Sequence, residues 1–403
     1  MPLRKGKGFF EKLCQKQLSA LRNMGAGKKK KYGLWRLLGL LPTAVVVAGL
    51  SLSFATRYIQ PSILFFPSLA GLGFWVWLLL GGILVVLYVL LLRKRSVLLL
   101  ICLLLNYNNI VACFRGKGAP EPPVRDWMAP DRFKVLSYNV RLFDFYGELS
   151  EQGVKGGQSI KKQLLDYVKD QDADFVCLQE YYESKDPSFS VSPFLRSAGY
   201  RHATEPAANR NFHYGNVIYS KFPILREGSV SDLSRFDVVF ADLLIDRDTL
   251  RIYNIHLESN RFDQTDKAFV EALTASGNEK NYLNGSRRLL GKMKRATLRR
   301  CEQIQKILLH AQQPDAPSRI MICGDMNDQP VSYAYGQVRR KGFSDAFVMA
   351  GSGFGQSYRG FYPSYRIDYM FLKGQLKPLY FDTRNAGYSD HRPLTAVFSL
   401  SEN

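Results

Sequence analysis

Three long stretches without a charge lie in the first quarter of this 403-residue chain, and they limit what that quarter can fold into. Residues 37–56, 58–92 and 96–114 contain no Asp, Glu, Lys or Arg. A bilayer's hydrocarbon core is about 30 Å thick and needs about 20 apolar residues per crossing helix. The pattern predicts about three transmembrane helices, over 36–56, 68–92 and 96–114. Phe74–Leu92 is almost unbroken apolar sequence, so the second is the strongest. Asn106, Asn108 and Asn109 interrupt the third, and polar groups at that depth need a partner helix or the interface. The runs are too long, and too many in series, for a cleaved leader.

The net charge of +20 is unevenly spread. Residues 1–36 hold 11 basic and one acidic residue, whereas residues 96–403 hold 40 basic and 34 acidic. A whole-chain argument for nucleic-acid binding therefore loses its force, and residues 1–35 read as a basic cytoplasmic head. Lys28–Lys31 and Arg36 precede the first span, Arg57 stands alone after it, and Arg93, Lys94 and Arg95 separate the second and third. Positive charge favours the cytoplasmic side. Three crossings then place everything after residue 115 on the extracytoplasmic, periplasmic side of a cell (inner) membrane. If the third run lies only in the interface, the remainder stays inside. Lys28–Lys31 has a second reading as a nucleic-acid tail. It is no phosphate loop, because Lys29 stands where Ser or Thr should follow the Lys. Residues 115–132, rich in Pro, Gly and charge, read as a linker.

Residues 133–403 form the remaining domain. With 46% apolar and 13% aromatic residues the chain has ample material for a core, and six Cys make no disulfide scaffold. Alternation predicts strands at Phe133–Val140, Asp174–Gln179, Asn216–Ser220, Arg319–Cys323, Ile367–Leu372 and Leu394–Leu400. Val238–Ile245 and Leu250–Leu257 bracket a turn and read as a hairpin. Helical spacing predicts helices over Ser159–Asp170, Arg287–His310 and Val331–Lys341. Hairpins mixed with helices fit a layered α/β sandwich better than a simple alternating βαβ sheet.

Polar residues recur where these strands end: Asn139, Glu180, His256, Asp325 with Asn327, Asp368, and the run Ser389-Asp390-His391. Each alone reads as a turn or cap. Together they bring carboxylates, amides and imidazoles to rigid supports. Carboxylates with Asn and no Cys/His cluster suit a hard cation, Mg²⁺ or Mn²⁺. An Asp368–His391 pair would favour the imidazolium, which suits an anionic substrate. The set suggests metal-assisted hydrolysis of a phosphate ester.

The segments Leu136-Ser137-Tyr138-Asn139, Leu178-Gln179-Glu180, Asn254-Ile255-His256-Leu257, Gly324-Asp325-Met326-Asn327, Arg366-Ile367-Asp368-Tyr369 and Ser389-Asp390-His391-Arg392-Pro393 occur in the order of the endonuclease/exonuclease/phosphatase superfamily, which they resemble. That family includes DNase I, exonuclease III-type AP endonucleases, neutral sphingomyelinases and inositol polyphosphate 5-phosphatases. The resemblance implies an α/β fold, a four-layer αββα sandwich, here preceded by the bundle of about three transmembrane helices. It implies one divalent-metal site with Glu180 as principal ligand and Asn139 and Asp390 nearby. It further implies that Asp325 activates water, Asn327 orients the phosphate, and His391, paired with Asp368, contacts the scissile group. His256 matches a position that is Tyr in many AP endonucleases, which tilts away from that activity. Which imidazole is base and which acid stays open.

The expected function is a membrane-anchored, Mg²⁺-dependent phosphodiesterase, foremost a nuclease. A phospholipid, sphingomyelin or inositol-phosphate esterase and an inactive membrane scaffold are the alternatives. The partners expected are a membrane and a nucleic-acid or phospholipid substrate, with no organic cofactor. Asn260 and Arg261 lie near the expected site mouth as substrate contacts. Ser286–Arg300 carries seven basic residues, either a phosphate-binding surface or a solvated helix face. Gly351–Gln356 misses the dinucleotide fingerprint and reads as a flexible loop. Cys177 and Cys323 read as core, and His202, His213 and His310 as ordinary residues. Oligomeric state is not legible.

Overall fold

Hydrophobic strands alternating with amphipathic helices must bury two kinds of surface, and this chain does so with two sheets packed face to face. The computed structural model describes residues 29–91, 94–121, 131–147, 149, 159–184, 189–208, 212–230, 232–234, 236–266, 268–269, 282–360 and 366–400, with 29–39 and 282–283 as backbone. The basic head before residue 29, Arg93 and most of the linker lie outside the described residues.

One sheet runs in the order β12 (Lys377–Thr383), β13 (Leu394–Ser399), β1 (Arg132–Asn139), β2 (Phe175–Ser184), β5 (Phe212–Ser220) and β3 (His202–Ala203), with β4 (Ala207–Ala208) also on β5. The other runs β10 (Ser344–Asp345), β11 (Asp368–Lys373), β9 (Arg319–Asp325), β8 (Asp248–His256), β7 (Val238–Ile245) and β6 (Ile224–Gly228). Most pairs are antiparallel; β1–β2 and β8–β9 are parallel. Phe133, Val135, Phe175 and Cys177 face Val239, Ile252, Met321 and Cys323 in the shared core. The two cysteines are therefore packing residues, as expected.

Helices cover both outer faces. α6 (Ile160–Asp170) turns Leu164, Leu165 and Val168 onto Val176 and Leu178, and its N-cap Ser159 accepts a hydrogen bond from the Lys162 N–H. α8 (Tyr282–His310) and α9 (Tyr333–Arg340) bury Ile304, Ile307, Ala334 and Val338 against Tyr253 and Ile322 of the second sheet. The expected sandwich is thus present. Five strands escaped sequence reading: the two-residue β3, β4 and β10, and also β6 and β12. β6 has mixed burial, and β12 contains Pro378, which suits its place at the sheet edge.

Buried amides join the sheets beneath the strand ends. Asn254 Nδ2, on β8, donates to the Leu178 carbonyl of β2 and the Val217 carbonyl of β5, each at 2.9 Å. Gln179 Nε2 donates back to Asn254 Oδ1 at 2.6 Å. Both residues are fully buried.

The N-terminal quarter differs from three straight spans. α1 (Lys29–Ala55) is followed by α2 (Phe66–Leu72), α3 (Phe74–Leu90), α4 (Arg95–Leu105) and α5 (Tyr107–Cys113). No single described helix is long and apolar enough to cross a membrane. The pairs α2–α3 and α4–α5 suffice together by length and composition, but are bent by 71° and 55°. Gly73 sits at the first break, and Asn106 at the second, where its Oδ1 accepts from Asn109 Nδ2 at 2.8 Å. Asn109 Nδ2 also donates to the Ser53 carbonyl (3.3 Å), while its Oδ1 is buried without a partner, so the polar groups of the third run are only partly satisfied at the bend.

The described residues form two compact units, one from within 29–51 and 75–104, the other from within 52–74 and 105–400. In the first, Val46 and Leu50 pack with Tyr88, Leu99 and Cys102. The second reaches back across the expected 115–132 boundary for a definite reason. Arg57, which the sequence leaves alone between spans, donates from Nη2 to the carbonyls of Pro330 (3.0 Å) and Asn108 (3.2 Å) and lies over the Tyr335 ring. Arg340 donates to the Arg57 carbonyl, and Arg366 Nη2 to the Ala112 carbonyl at 2.7 Å.

Asn254→Ala would remove the bonds to the Leu178 and Val217 carbonyls and one of the three acceptors of the Gln179 amide in the inter-sheet layer. At about 1–3 kcal/mol per stranded group, the expected loss is about 3 kcal/mol. Chemical denaturation of the full chain measures it, and a loss below about 1 kcal/mol would contradict the clamp.

Candidate active site

Register brings the polar strand ends together. His256 stands opposite Asp325 across β8–β9, and Asp325 opposite Asp368 across β9–β11. On the other sheet, the pairing of β2 with β5 shifts between Leu178 and Tyr181. Glu180 falls in that irregularity with φ of +50°, which turns its carboxylate away from the regular alternation. Gly324 has φ of +122°, and a Cβ there would collide with the Ile255 carbonyl. The Gly before Asp325 is required by this close approach.

The side chains converge. Asn139 Nδ2 donates to Glu180 Oε1 (3.0 Å) and Asp325 Oδ2 (3.2 Å). His256 Nε2 lies 3.6 Å from Glu180 Oε1 and 3.7 Å from Asp325 Oδ2. His391 Nδ1 contacts Asp368 Oδ2 at 2.9 Å, and its Nε2 lies 3.6 Å from Asp325 Oδ2. The Asp390 carboxylate is 3.9 Å from Arg141 Nε. Ser389 Oγ donates to the Asn139 carbonyl (2.9 Å) and accepts from the His391 N–H (3.2 Å), which ties the last loop to β1.

Asn327 has φ of +52°; its N–H donates to Asp325 Oδ1 (2.8 Å) and its side chain to the Leu257 carbonyl (2.9 Å). One of its amide hydrogens thus already holds the loop. Asn260 Oδ1 accepts from Arg300 (3.2 Å), and Arg261, exposed, pairs with Glu258 at 2.9 Å. All of Glu180, His256, Asn260, Arg261, Asp325, Asn327, Asp390 and His391 line one cavity of about 1130 Å³. Asn139 and Asp368 lie directly behind it, bonded to Glu180 and His391.

Charge is crowded here. Burial, then the neighbouring Asp368, push the Asp325 carboxyl up to about 6, against the pull of His391 and His256. Burial alone would lower His391, but Asp368 and Asp325 raise it well above its usual value. Asp368 and Asp325 thus favour the imidazolium form of His391, and Asp368 sets its orientation.

The donors fit a hard cation. Asp325, Asp368 and His391 offer ligand atoms all within 4.8 Å of one another. Since His391 and Asp368 already partner each other, Asp325 with Glu180 and Asn139 makes the better oxygen set. A divalent cation would relieve the burial cost that Asp325 carries.

The expected basic surface is reduced. Arg288 and Lys292 pair with Asp266, Arg299 with Glu302, and Arg300, nearly buried, with Asp328. Sequence reading also passed over Tyr358, whose ring centre lies 5.1 Å from that of His391. It follows directly on the glycine-rich loop, and no periodicity marks it. Arg141 and Ser389 adjoin recognised motifs, and their polar side chains beside Asn139 and Asp390 were the available signal.

An unfolded Asp titrates near 3.9, so folding without metal raises Asp325 by about two units. The native state then binds the proton more tightly. Stability of the metal-free protein should fall as pH rises from about 4 to about 6, by about 3 kcal/mol, and stay lowered above that. Asp325→Asn should melt higher than the parent at pH 7 in EDTA and lose this slope. Identical slopes in thermal melts of the two proteins would contradict it.

Residues 136–391 match the sequence model of the Endonuclease/Exonuclease/phosphatase family. No curated protein matches the chain in sequence. Among solved structures, it is similar to an endonuclease/exonuclease/phosphatase from Bacteroides vulgatus (15% identity, TM-score 0.47, covering 67% of this chain and 99% of that one). It is also similar to a humanized D. rerio TDP2 carrying 14 mutations (15% identity, TM-score 0.45, covering 67% and 99%). A functionally unknown conserved protein from Enterococcus faecalis V583 is another (14% identity, TM-score 0.45, covering 66% and 99%). With the matched segment spanning well over half of its length, this chain belongs to the Endonuclease/Exonuclease/phosphatase family, whose members are phosphoester hydrolases and generally depend on a divalent metal.

Proposed function

We propose that the chain is a membrane-tethered phosphodiesterase working with Mg²⁺ or Mn²⁺. The observation that supports this most is the meeting of Glu180, Asp325 and the Asp368–His391 pair in one cavity. Glu180, with Asn139 and Asp390 nearby, would hold the cation. Once bound, it offsets phosphate charge and acidifies a water. Asp325, buried at the end of β9 with its Oδ1 held by the Asn327 N–H, is placed to accept a proton from water. His391 points an imidazolium Nε2 at the same space and donates to a phosphate oxygen as charge grows there. Asp368 keeps that ring protonated and oriented. Asn327, held by its two loop bonds, presents its remaining amide hydrogen to the phosphate.

The tether rests on the charge-free runs and on α3, where Val76, Leu79, Ile83, Val86 and Leu90 are all more than half exposed. An apolar face of that extent calls for a lipid environment. With three crossings, the positive flanks favour the extracytoplasmic side for the catalytic unit.

The full chain in detergent should hydrolyse bis(p-nitrophenyl) phosphate with Mg²⁺ or Mn²⁺ and stop with EDTA. Glu180→Gln and His391→Ala should each lose about 100-fold or more in kcat. Full activity in either variant would remove the site. A topology reporter fused after residue 403 should read extracytoplasmic; a cytoplasmic signal means an even number of crossings.

A further inference from the structure

One wall of the catalytic cavity comes from outside the family segment. Thr56, Phe65, Ser68, Leu69 and Leu72 line the same space as Glu180, His256 and His391. They belong to the compact unit that carries the site, although more than 60 residues of chain separate them from Asn139.

This wall is built in. Thr56 Oγ1 donates to the Pro67 carbonyl (2.6 Å) and Ser53 Oγ to the Ala70 carbonyl (3.0 Å). The Arg57 guanidinium anchors the preceding turn on the Pro330 carbonyl. At Gly71 a Cβ would come within 2.5 Å of the Val331 carbonyl, so α2 lies against the backbone of the loop entering α9. The side chains facing the cavity are nonetheless only partly covered: Leu72 is 37% exposed. Leu289, Met293 and Phe236 add apolar surface from other elements of the lining. Beyond the cavity wall, Ile63, Leu64 and Phe66 are 79%, 40% and 68% exposed.

A phosphate and its immediate substituents do not need about 1130 Å³, a volume above the usual range for small-ligand pockets. Nor does a polyanion explain an apolar wall, and four of the seven basic residues of 286–300 are already ion-paired. We propose that Phe65, Leu69 and Leu72 form a hydrocarbon subsite, and that the substrate is a phosphodiester carried on an alkyl or acyl chain, met at a lipid surface into which Ile63 and Phe66 project. The inference rests on the phosphodiesterase reading above and names its substrate class.

The test is a chain-length series. Methyl, butyl and octyl p-nitrophenyl phosphate are offered to the full chain in phosphatidylcholine nanodiscs with Mg²⁺ or Mn²⁺. Each methylene buried is worth about fourfold, so kcat/KM should rise at least tenfold from methyl to octyl. In Leu69→Ser/Leu72→Ser, and separately in Phe65→Ser, the octyl-to-methyl ratio should fall toward one, and Leu69→Met/Leu72→Met should restore it. The ratio is internal to each protein, so a partly unfolded preparation does not imitate the result. Hydrolysis without chain-length dependence overturns the subsite and leaves the phosphodiesterase standing. A single-stranded oligonucleotide cleaved with higher kcat/KM than the octyl ester also overturns it. No hydrolysis of any ester overturns both readings.

Discussion

Negative charge that burial would rather neutralise is the constraint around which this molecule is organised. Glu180, Asp325 and Asp368 approach one another at the ends of strands from two sheets, with two imidazoles and two asparagines among them. Burial lifts Asp325 toward neutrality and His391 answers with a positive charge. Such an arrangement is unfavourable for the isolated chain. It becomes favourable when a cation and a phosphate, of opposite charge, enter together. Stability without metal and the proposed hydrolysis with it would thus be opposed at the same carboxylate.

Holding those groups in place falls to interactions with no chemistry of their own. The Asn254–Gln179 amides fix the separation and register of the two sheets directly under the cavity. Ser389 pins the His391 loop to β1. The irregularity at Glu180 and the glycine at 324 let two backbones depart from regular strand geometry where side chains must be redirected. These are one structural answer to one demand: placing side chains to within a fraction of an ångström on supports that do not yield.

The N-terminal quarter has two structural parts. One is an apolar helical cluster centred on Leu50 and Leu99. The other, 52–74 with 105–114, packs into the catalytic unit through Arg57, Ala112 and Gly71. Residues of 52–74 therefore form one wall of the candidate site, so a segment outside the family match contributes to the cavity.

Much of this was legible in the sequence because its cause is local. Period-two and period-3.6 patterns showed most strands and helices, and the six polar strand ends showed the site, since motifs of three to five residues carry their own geometry. The charge-free runs marked the apolar helices for the same reason. What sequence reading missed depends on distant partners. Arg57 looked like a loop charge until Pro330 and Tyr335 came beside it. Tyr358, just beyond the loop read at Gly351–Gln356, carried no signal until it met His391. Four of the seven basic residues of 286–300 looked available until Asp266, Glu302 and Asp328 paired with them. The breaks at Gly73 and Asn106 changed spans into bent pairs. Composition and local pattern determine which groups the chain possesses and in what order. Whether a charge is free, a helix straight or a leucine part of an active site depends on residues hundreds of positions away, and only tertiary packing brings them within reach.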